Sequence, residues 1–282
     1  MTYSCKSSLL LASLSTSIAA LSFTLTNSAC EQNTEPIFSK TQNFQNLWEN
    51  GYLCSREAVK QKQNVHFIRW DGNWDKREGC GNGVTRKIYL VRHGQYHLTG
   101  EEKDKKLTEA GRKQAKILGK AVADSKIVFD RIVVSSLKRA QETAQIILQE
   151  IDASKVKKIE HCDLLREGLP CPPEPPFQQE KPELCYYKDG VRIEAAFRKY
   201  FHRSVSEKSA SPNMETNELY ICHANVIRYF VCRALQLPPE AWLRMSLRNC
   251  SLTQINIYDD GLVTLQRLGD AGYFPPELLT VS

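Results

Sequence analysis

Four short apolar runs in this chain end in side chains that handle protons and phosphate. Residues 87–91 run into Arg92-His93-Gly94, and residues 131–134 into Ser135-Ser136-Leu137-Lys138-Arg139. Residues 162–165 lead to Arg166-Glu167-Gly168, and residues 218–222 to His223-Ala224-Asn225. Apolar runs of this length read as buried strands, and in open α/β sheets ligands bind beyond the carboxyl ends of the strands. A histidine there can act as nucleophile or proton carrier. An arginine fork matches the oxygens of a phosphate, and a glycine lets the backbone turn sharply beside a ligand. One Arg-His-Gly triplet carries little weight, because a lone histidine at a strand end is more often structural. The repetition of the pattern is what points to phosphoryl chemistry.

In order, Arg92-His93-Gly94, Ser135-Ser136-x-x-Arg139-Ala140-x-Glu142-Thr143, Leu164-Leu165-Arg166-Glu167-Gly168 and Cys222-His223-Ala224-Asn225 resemble the signature of the histidine phosphatase (phosphoglycerate mutase-like) superfamily. Four further stretches narrow the likeness: residues 92–97 (Arg-His-Gly-Gln-Tyr-His), 193–198 (Ile-Glu-Ala-Ala-Phe-Arg), 223–229 (His-Ala-Asn-Val-Ile-Arg-Tyr) and 70–75 (Trp-Asp-Gly-Asn-Trp-Asp). Together they resemble the mitochondrial serine/threonine protein phosphatases of that superfamily, over about residues 66–282. The resemblance implies an α/β fold of three layers, α/β/α, with a mostly parallel sheet. It also implies hydrolysis of phosphoserine and phosphothreonine in protein substrates, with phosphohistidine a further substrate class, and no metal or other cofactor.

Phosphoryl transfer needs a nucleophile in line with the leaving oxygen, positive charge around the equatorial oxygens, and a proton for the leaving group. His93, neutral at its attacking nitrogen, is the expected nucleophile, with its other nitrogen held by a backbone carbonyl. Arg92 and Arg139 are expected to clamp phosphate oxygens, and a protonated His223 to steady the transferring group. Glu167 is the expected general acid, then base. Gly94 and Asn225 complete the expected substrate-binding set. Ser135 and Ser136 lack a Gly-x-Ser-x-Gly elbow and read as turn and phosphate-side hydroxyls. His161 and His202 read as surface residues, and His97 as either a surface residue or a substrate contact. Two other functions compete: a small-molecule phosphatase or mutase of the same superfamily, and a catalytically silent membrane scaffold. Gln95-Tyr96-His97 departs from the sugar-phosphate enzymes, and retention of all five polar residues opposes the scaffold.

The elements that must position these residues fit one α/β domain with an N-terminal extension, since 282 residues support a substantial core but hardly a second full domain. The net charge of +6 is spread along the chain without a basic run interleaved with aromatics, which argues against nucleic-acid binding. Ten cysteines occur without a CxxC pair, so a zinc site is not expected and most read as reduced thiols. Cys162, Cys171 and Cys185 could pair.

Residues 9–25 carry no charge and approach the length of a bilayer span. A secretory signal peptide fits poorly at Asn27-Ser28-Ala29. The resemblance favours a single mitochondrial membrane anchor over residues 1–28, with the outer membrane preferred. Residues 29–86 form a polar linker and residues 87–282 the catalytic domain. Within the linker, Trp70, Asp71, Asn73, Trp74 and Asp75 form a sticky element, because aromatic rings bury large areas and flanking carboxylates seek cations. Folding back on the same domain is one reading; the resemblance implies homo-oligomerisation. The short glycine-bearing tether, residues 76–86, favours docking on the same or an adjacent subunit.

Thr108 predicts the start of a helix bearing Ile117, Leu118, Ala121 and Val122. A second helix is predicted over about 137–150, with Arg139 in its positive first turn. A third carries Ile193, Ala196, Phe197, Tyr200 and Phe201 on one face, and a fourth spans about 225–235. Residues 204–217 read as a surface loop, and 252–258 with 262–268 as a hairpin. The six prolines of 170–182 suggest a rigid loop, either a wall of the site or a plain connector.

Overall fold

The computed structural model describes residues 69–77, 83–177, 181–204 and 215–281, all within the unit His66–Ser282. The expected anchor and the rest of the expected linker lie outside the described residues. No helix among the described residues is long and apolar enough to cross a membrane. The strands are β1 (Thr85–Arg92), β2 (Arg131–Ser135), β3 (Lys158–Cys162), β4 (Glu215–Cys222), β5 (Leu252–Ile257) and β6 (Val263–Asp270). The helices are α1 (Glu109–Asp124), α2 (Lys138–Glu150), α3 (Glu183–Tyr200) and α4 (Ala224–Ala234).

β1 is central and buried on both faces, which explains why Ile88, Tyr89, Leu90 and Val91 form an unbroken apolar run rather than alternating with polar residues. The sheet order is β3-β2-β4-β1-β5-β6. β1 pairs in parallel with β4, as β2 does with β3 and β4, while β5 is antiparallel to both β1 and β6. Ile88 and Leu90 pack with Ile193 and Phe197 of α3 and with Val226 and Phe230 of α4. Tyr89 and Val91 face the other way, onto Ala115, Leu118 and Val122 of α1 and Ala140, Ala144 and Ile147 of α2. The result is the expected three-layer arrangement. The helices that follow β1 and β4 therefore leave neighbouring strands toward opposite faces, and such a divergence is where open α/β sheets bind ligands.

Thr108 caps α1 by accepting a hydrogen bond from the Gly111 amide. Two segments differ from the sequence reading. β4 begins at Glu215, inside the expected loop, because its outer end pairs with β1. Leu164 and Leu165 do not extend β3 but close a short 3-10 turn, Asp163–Leu165, that re-aims the chain before Glu167. The proline-rich loop is pinned to the 3-10 turn Pro239–Arg244: Trp242 Nε1 donates to the Cys171 carbonyl, Arg244 Nε to that of Glu174, and the Glu174 amide to that of Glu240.

The Trp-Asp element folds onto its own unit. Trp74 Nε1 donates to the Gly261 carbonyl at 2.9 Å, and its ring lies 6.2 Å from that of Phe197. Asp75 pairs with the buried Arg203 at 2.6 Å, Asn73 accepts from the same guanidinium, and Asp71 exchanges two hydrogen bonds with Gln236. The six cysteines among the described residues (162, 171, 185, 222, 232 and 250) are free thiols.

Candidate active site

Strand register brings the site together. Arg92 of β1 stands opposite Cys222 of β4, and Val134 of β2 opposite Ile221, so His93, His223 and Ser135 emerge at one level of the sheet. The His93 amide donates to the Cys222 carbonyl at 3.0 Å, which locks the two strand ends together. The rings of His93 and His223 lie 5.0 Å apart, centre to centre.

The tautomer of His93 follows from its neighbours. Nδ1 lies 2.8 Å from the Gly94 carbonyl, which can only accept, so Nδ1 carries the proton. Nε2 receives a hydrogen bond from Arg139 Nε at 3.1 Å, and a guanidinium can only donate. Nε2 is therefore the bare nitrogen, the one able to attack. Burial holds His93 well below its ordinary pKa, and the charges of Arg139 and Arg92 push the same way. The ring is neutral at physiological pH. Tyr96 packs edge-on against it at 5.0 Å, and the Arg139 guanidinium lies 4.7 Å from the Tyr96 ring centre.

Arg139 sits in the first turn of α2 with its side chain buried. Besides His93 it holds Glu102, donating Nη1 to the Glu102 carbonyl at 3.2 Å and pairing Nη2 with Oε1 at 2.6 Å. Thr143, one turn on, donates to the Arg139 carbonyl and accepts from the Gly94 amide, tying α2 to the turn that follows β1. Arg92 is buried as well, with Nη1 on the Leu247 carbonyl at 2.6 Å. Asn249 Nδ2 and the Cys250 amide both donate to the His93 carbonyl.

His223 accepts or donates at Nε2 with Ser135 Oγ, 2.8 Å away, while its Nδ1 is buried and has no hydrogen-bond partner among the described residues. Burial first, then His93 and the neighbouring guanidiniums, hold His223 well below its ordinary value. The protonated His223 expected from sequence is thus not what the protein alone favours; its charge depends on an anion arriving beside it.

Burial pushes the Glu167 carboxyl up, opposed in part by the Gly168 amide and by the charges of Arg139 and Arg92. Arg192 of α3 fixes the segment that carries it. Its Nη1 donates to the carbonyls of Leu164 and Arg166 and its Nη2 to that of Glu167, and Asp189 braces the guanidinium. Asn225 Nδ2 holds the Gly168 carbonyl and its Oδ1 accepts from Arg228, whose guanidinium feels the Glu167 charge.

Of the expected residues, His93, His223, Arg92, Arg139 and Glu167 share one electrostatic neighbourhood. Gly94 and Asn225 turn out to be occupied: the Gly94 amide by Thr143, and the Asn225 side chain by Gly168 and Arg228. Ser136 leaves the site to hold Asp163, whereas Ser135 orients His223. His97 and His161 are exposed. His202 is partly buried rather than on the surface, with Nδ1 on the Arg203 carbonyl and its own carbonyl accepting from Arg86. Sequence reasoning missed Glu102, Arg192 and Arg228. Arg192 follows Asp189 by three residues, a spacing indistinguishable from an ordinary helix-surface pair. Glu102 lies in a loop of mixed charge that gives no sign of which residue turns inward.

The sequence profile of the histidine phosphatase superfamily (branch 1) matches residues 88–169 and 188–271. The mouse (Mus musculus) "Serine/threonine-protein phosphatase PGAM5, mitochondrial" is 45% identical over 240 residues, covering 76% of this chain and 81% of its own length. Its Drosophila yakuba counterpart is 49% identical over 241 residues, covering 83% and 81%. A solved phosphoglycerate mutase from Plasmodium falciparum is 32% identical, with a TM-score of 0.48, over 71% of this chain and 99% of that one. The chain belongs to the histidine phosphatase superfamily (branch 1) and, within it, to the family of the mitochondrial serine/threonine-protein phosphatases named PGAM5.

Proposed function

We propose that the protein hydrolyses phosphoserine and phosphothreonine in protein substrates through a phosphohistidine at His93. The observation that carries this reading is the bare Nε2 of His93, its tautomer fixed by Gly94, facing buried cationic donors and a second imidazole with a partnerless nitrogen. Nε2 attacks phosphorus as the ester P–O bond breaks, and protonated Glu167 gives its proton to the departing seryl or threonyl oxygen. Arg92, Arg139 and His223 balance the charge on the equatorial oxygens. The Glu167 carboxylate then takes a proton from water, the oxygen attacks phosphorus, and the P–N bond breaks to return neutral His93. Quenching the reaction with radiolabelled phosphopeptide tests this directly: label on His93, lost in acid and stable in base, is expected. Hydrolysis of phosphoglycerates in preference to phosphopeptides would favour the small-molecule reading instead.

The relatives' names extend a mitochondrial location to this chain, and the uncharged residues 9–25 support a membrane anchor within 1–28; an outer-membrane site for that anchor, a linker over 29–86 and a catalytic domain over 87–282 complete the reading. Homo-oligomerisation through Trp70, Asp71, Asn73, Trp74 and Asp75 belongs to the same reading and requires the last four to exchange their contacts within the chain for the same contacts on a neighbouring copy. Light scattering tests it: Trp70→Ala with Trp74→Ala should reduce the assembly mass and slow turnover.

A further inference from the structure

Both Nη groups of Arg139, a guanidinium with a buried side chain, are engaged by one residue of an exposed loop. Glu102 takes Nη2 with its carboxylate at 2.6 Å and Nη1 with its carbonyl at 3.2 Å, while about half of its own side-chain surface stays in water. Its other oxygen holds Lys105 at 2.8 Å. Burial alone would raise the carboxyl of Glu102, but Lys105 and Arg139 outweigh it and leave the group below its ordinary value, hence charged. The loop is anchored on both sides of this contact, by the Lys138 amide on the Lys103 carbonyl and by the His97 amide on the Lys106 carbonyl. The carboxylate can thus swing away without unravelling its surroundings.

We propose that Glu102 is a specificity-determining residue: an internal monoanion that occupies the phosphate fork of Arg139 and yields only to a more highly charged ligand. Of the five N–H groups of Arg139, His93 takes one, the Glu102 carbonyl one and the Glu102 carboxylate one, so a phosphate can take the face of Nη2 that Glu102 holds, free of a like charge beside it, only in place of that carboxylate. An incoming group must displace the carboxylate. A phosphomonoester carries about −1.5 to −2 at neutral pH and gains Arg92 and His223 as well, so it wins. A carboxylate side chain, a phosphodiester or a sulfate monoester carries a single charge and gains little over Glu102. For an enzyme that scans protein surfaces, this filter keeps ordinary aspartates and glutamates out of the clamp.

The inference rests on the phosphatase reading, and calorimetry separates the two. Inorganic phosphate and the monoanion phenyl sulfate are titrated into the whole protein and into Glu102→Gln, whose side chain keeps the shape and loses the charge. The expected result is phosphate binding about tenfold tighter in Glu102→Gln, with phenyl sulfate bound measurably only by that variant. Equal or weaker phosphate binding in Glu102→Gln would overturn the inference, since Glu102 would then only hold Arg139 in place. A gain for phosphate alone would overturn the charge filter. Absence of phosphate binding by either protein would sink the phosphatase reading and this inference with it.

Discussion

The imidazoles of His93 and His223 face each other 5.0 Å apart at a tilt of 56°, each continuing a strand of a parallel pair whose register ends at Arg92 and Cys222. Nε2 of the first ring carries no proton of its own, and Nδ1 of the second has no hydrogen-bond partner among the described residues. His93→Ala should abolish turnover, by on the order of 10⁴-fold or more, together with acid-labile labelling. Turnover that survives without label would require another nucleophile.

Glu167→Ala should slow phosphopeptides by about 10²- to 10⁴-fold while sparing aryl phosphates, whose leaving groups need little protonation. Steady-state kinetics on both substrates decides; equal slowing would deny Glu167 the role of acid. Because burial raises its carboxyl, the acid form should persist above the usual carboxylate range. The basic limb of kcat/KM should flatten in Glu167→Gln.

Arg139→Lys keeps the charge but loses the fork that spans His93 and Glu102. A fall in kcat/KM of about 10³-fold, with the fold intact by circular dichroism, is the expected outcome.

Histidines 93, 202 and 223 are all held below their ordinary value, chiefly by burial. The unfolded chain then binds protons more readily than the folded one, so stability is complete above about pH 6.5 and falls as pH drops toward the lowered folded values. The limiting slope is about 1.4 kcal/mol per pH unit for each histidine. Asp75, Glu160 and Glu194 are lowered from carboxylate values and act only at more acid pH. Urea titrations at pH 7.5 and 5.5 should show the loss, reduced by His93→Asn with His223→Asn.

Asp75→Ala removes the carboxylate from the buried Arg203, whose guanidinium keeps Asn73 and the Arg77 carbonyl. The cost should be about 3 kcal/mol, read by chemical denaturation. A cost below about 1 kcal/mol would show that the Trp-Asp element contributes little to its own unit.

Much of this site is legible in the chain because strand ends are written locally. An apolar run followed by Arg-His-Gly or Cys-His-Ala says where a strand stops and what it presents, and parallel pairing does the rest. What stays hidden is set by contacts between distant segments. Nothing near Arg192 in sequence reveals that it fixes Glu167, and nothing near Gly94 reveals that its amide is already taken by Thr143. Leu164 and Leu165 look like strand because apolar pairs fit a strand or a buried turn equally well. The outward register of Ser136 follows from Asp163, which lies 27 residues away.

Gly94 and Gly111 meet back to back: a methyl on Gly94 would come within 2.6 Å of the Gly111 carbonyl oxygen, and one on Gly111 within 2.0 Å of that of Gln95. The turn after β1 and the start of α1 are zipped together at a seam too narrow for any side chain. A substitution at position 111, eighteen residues along the chain from His93, should therefore disturb the Arg-His-Gly turn as directly as a change made within it.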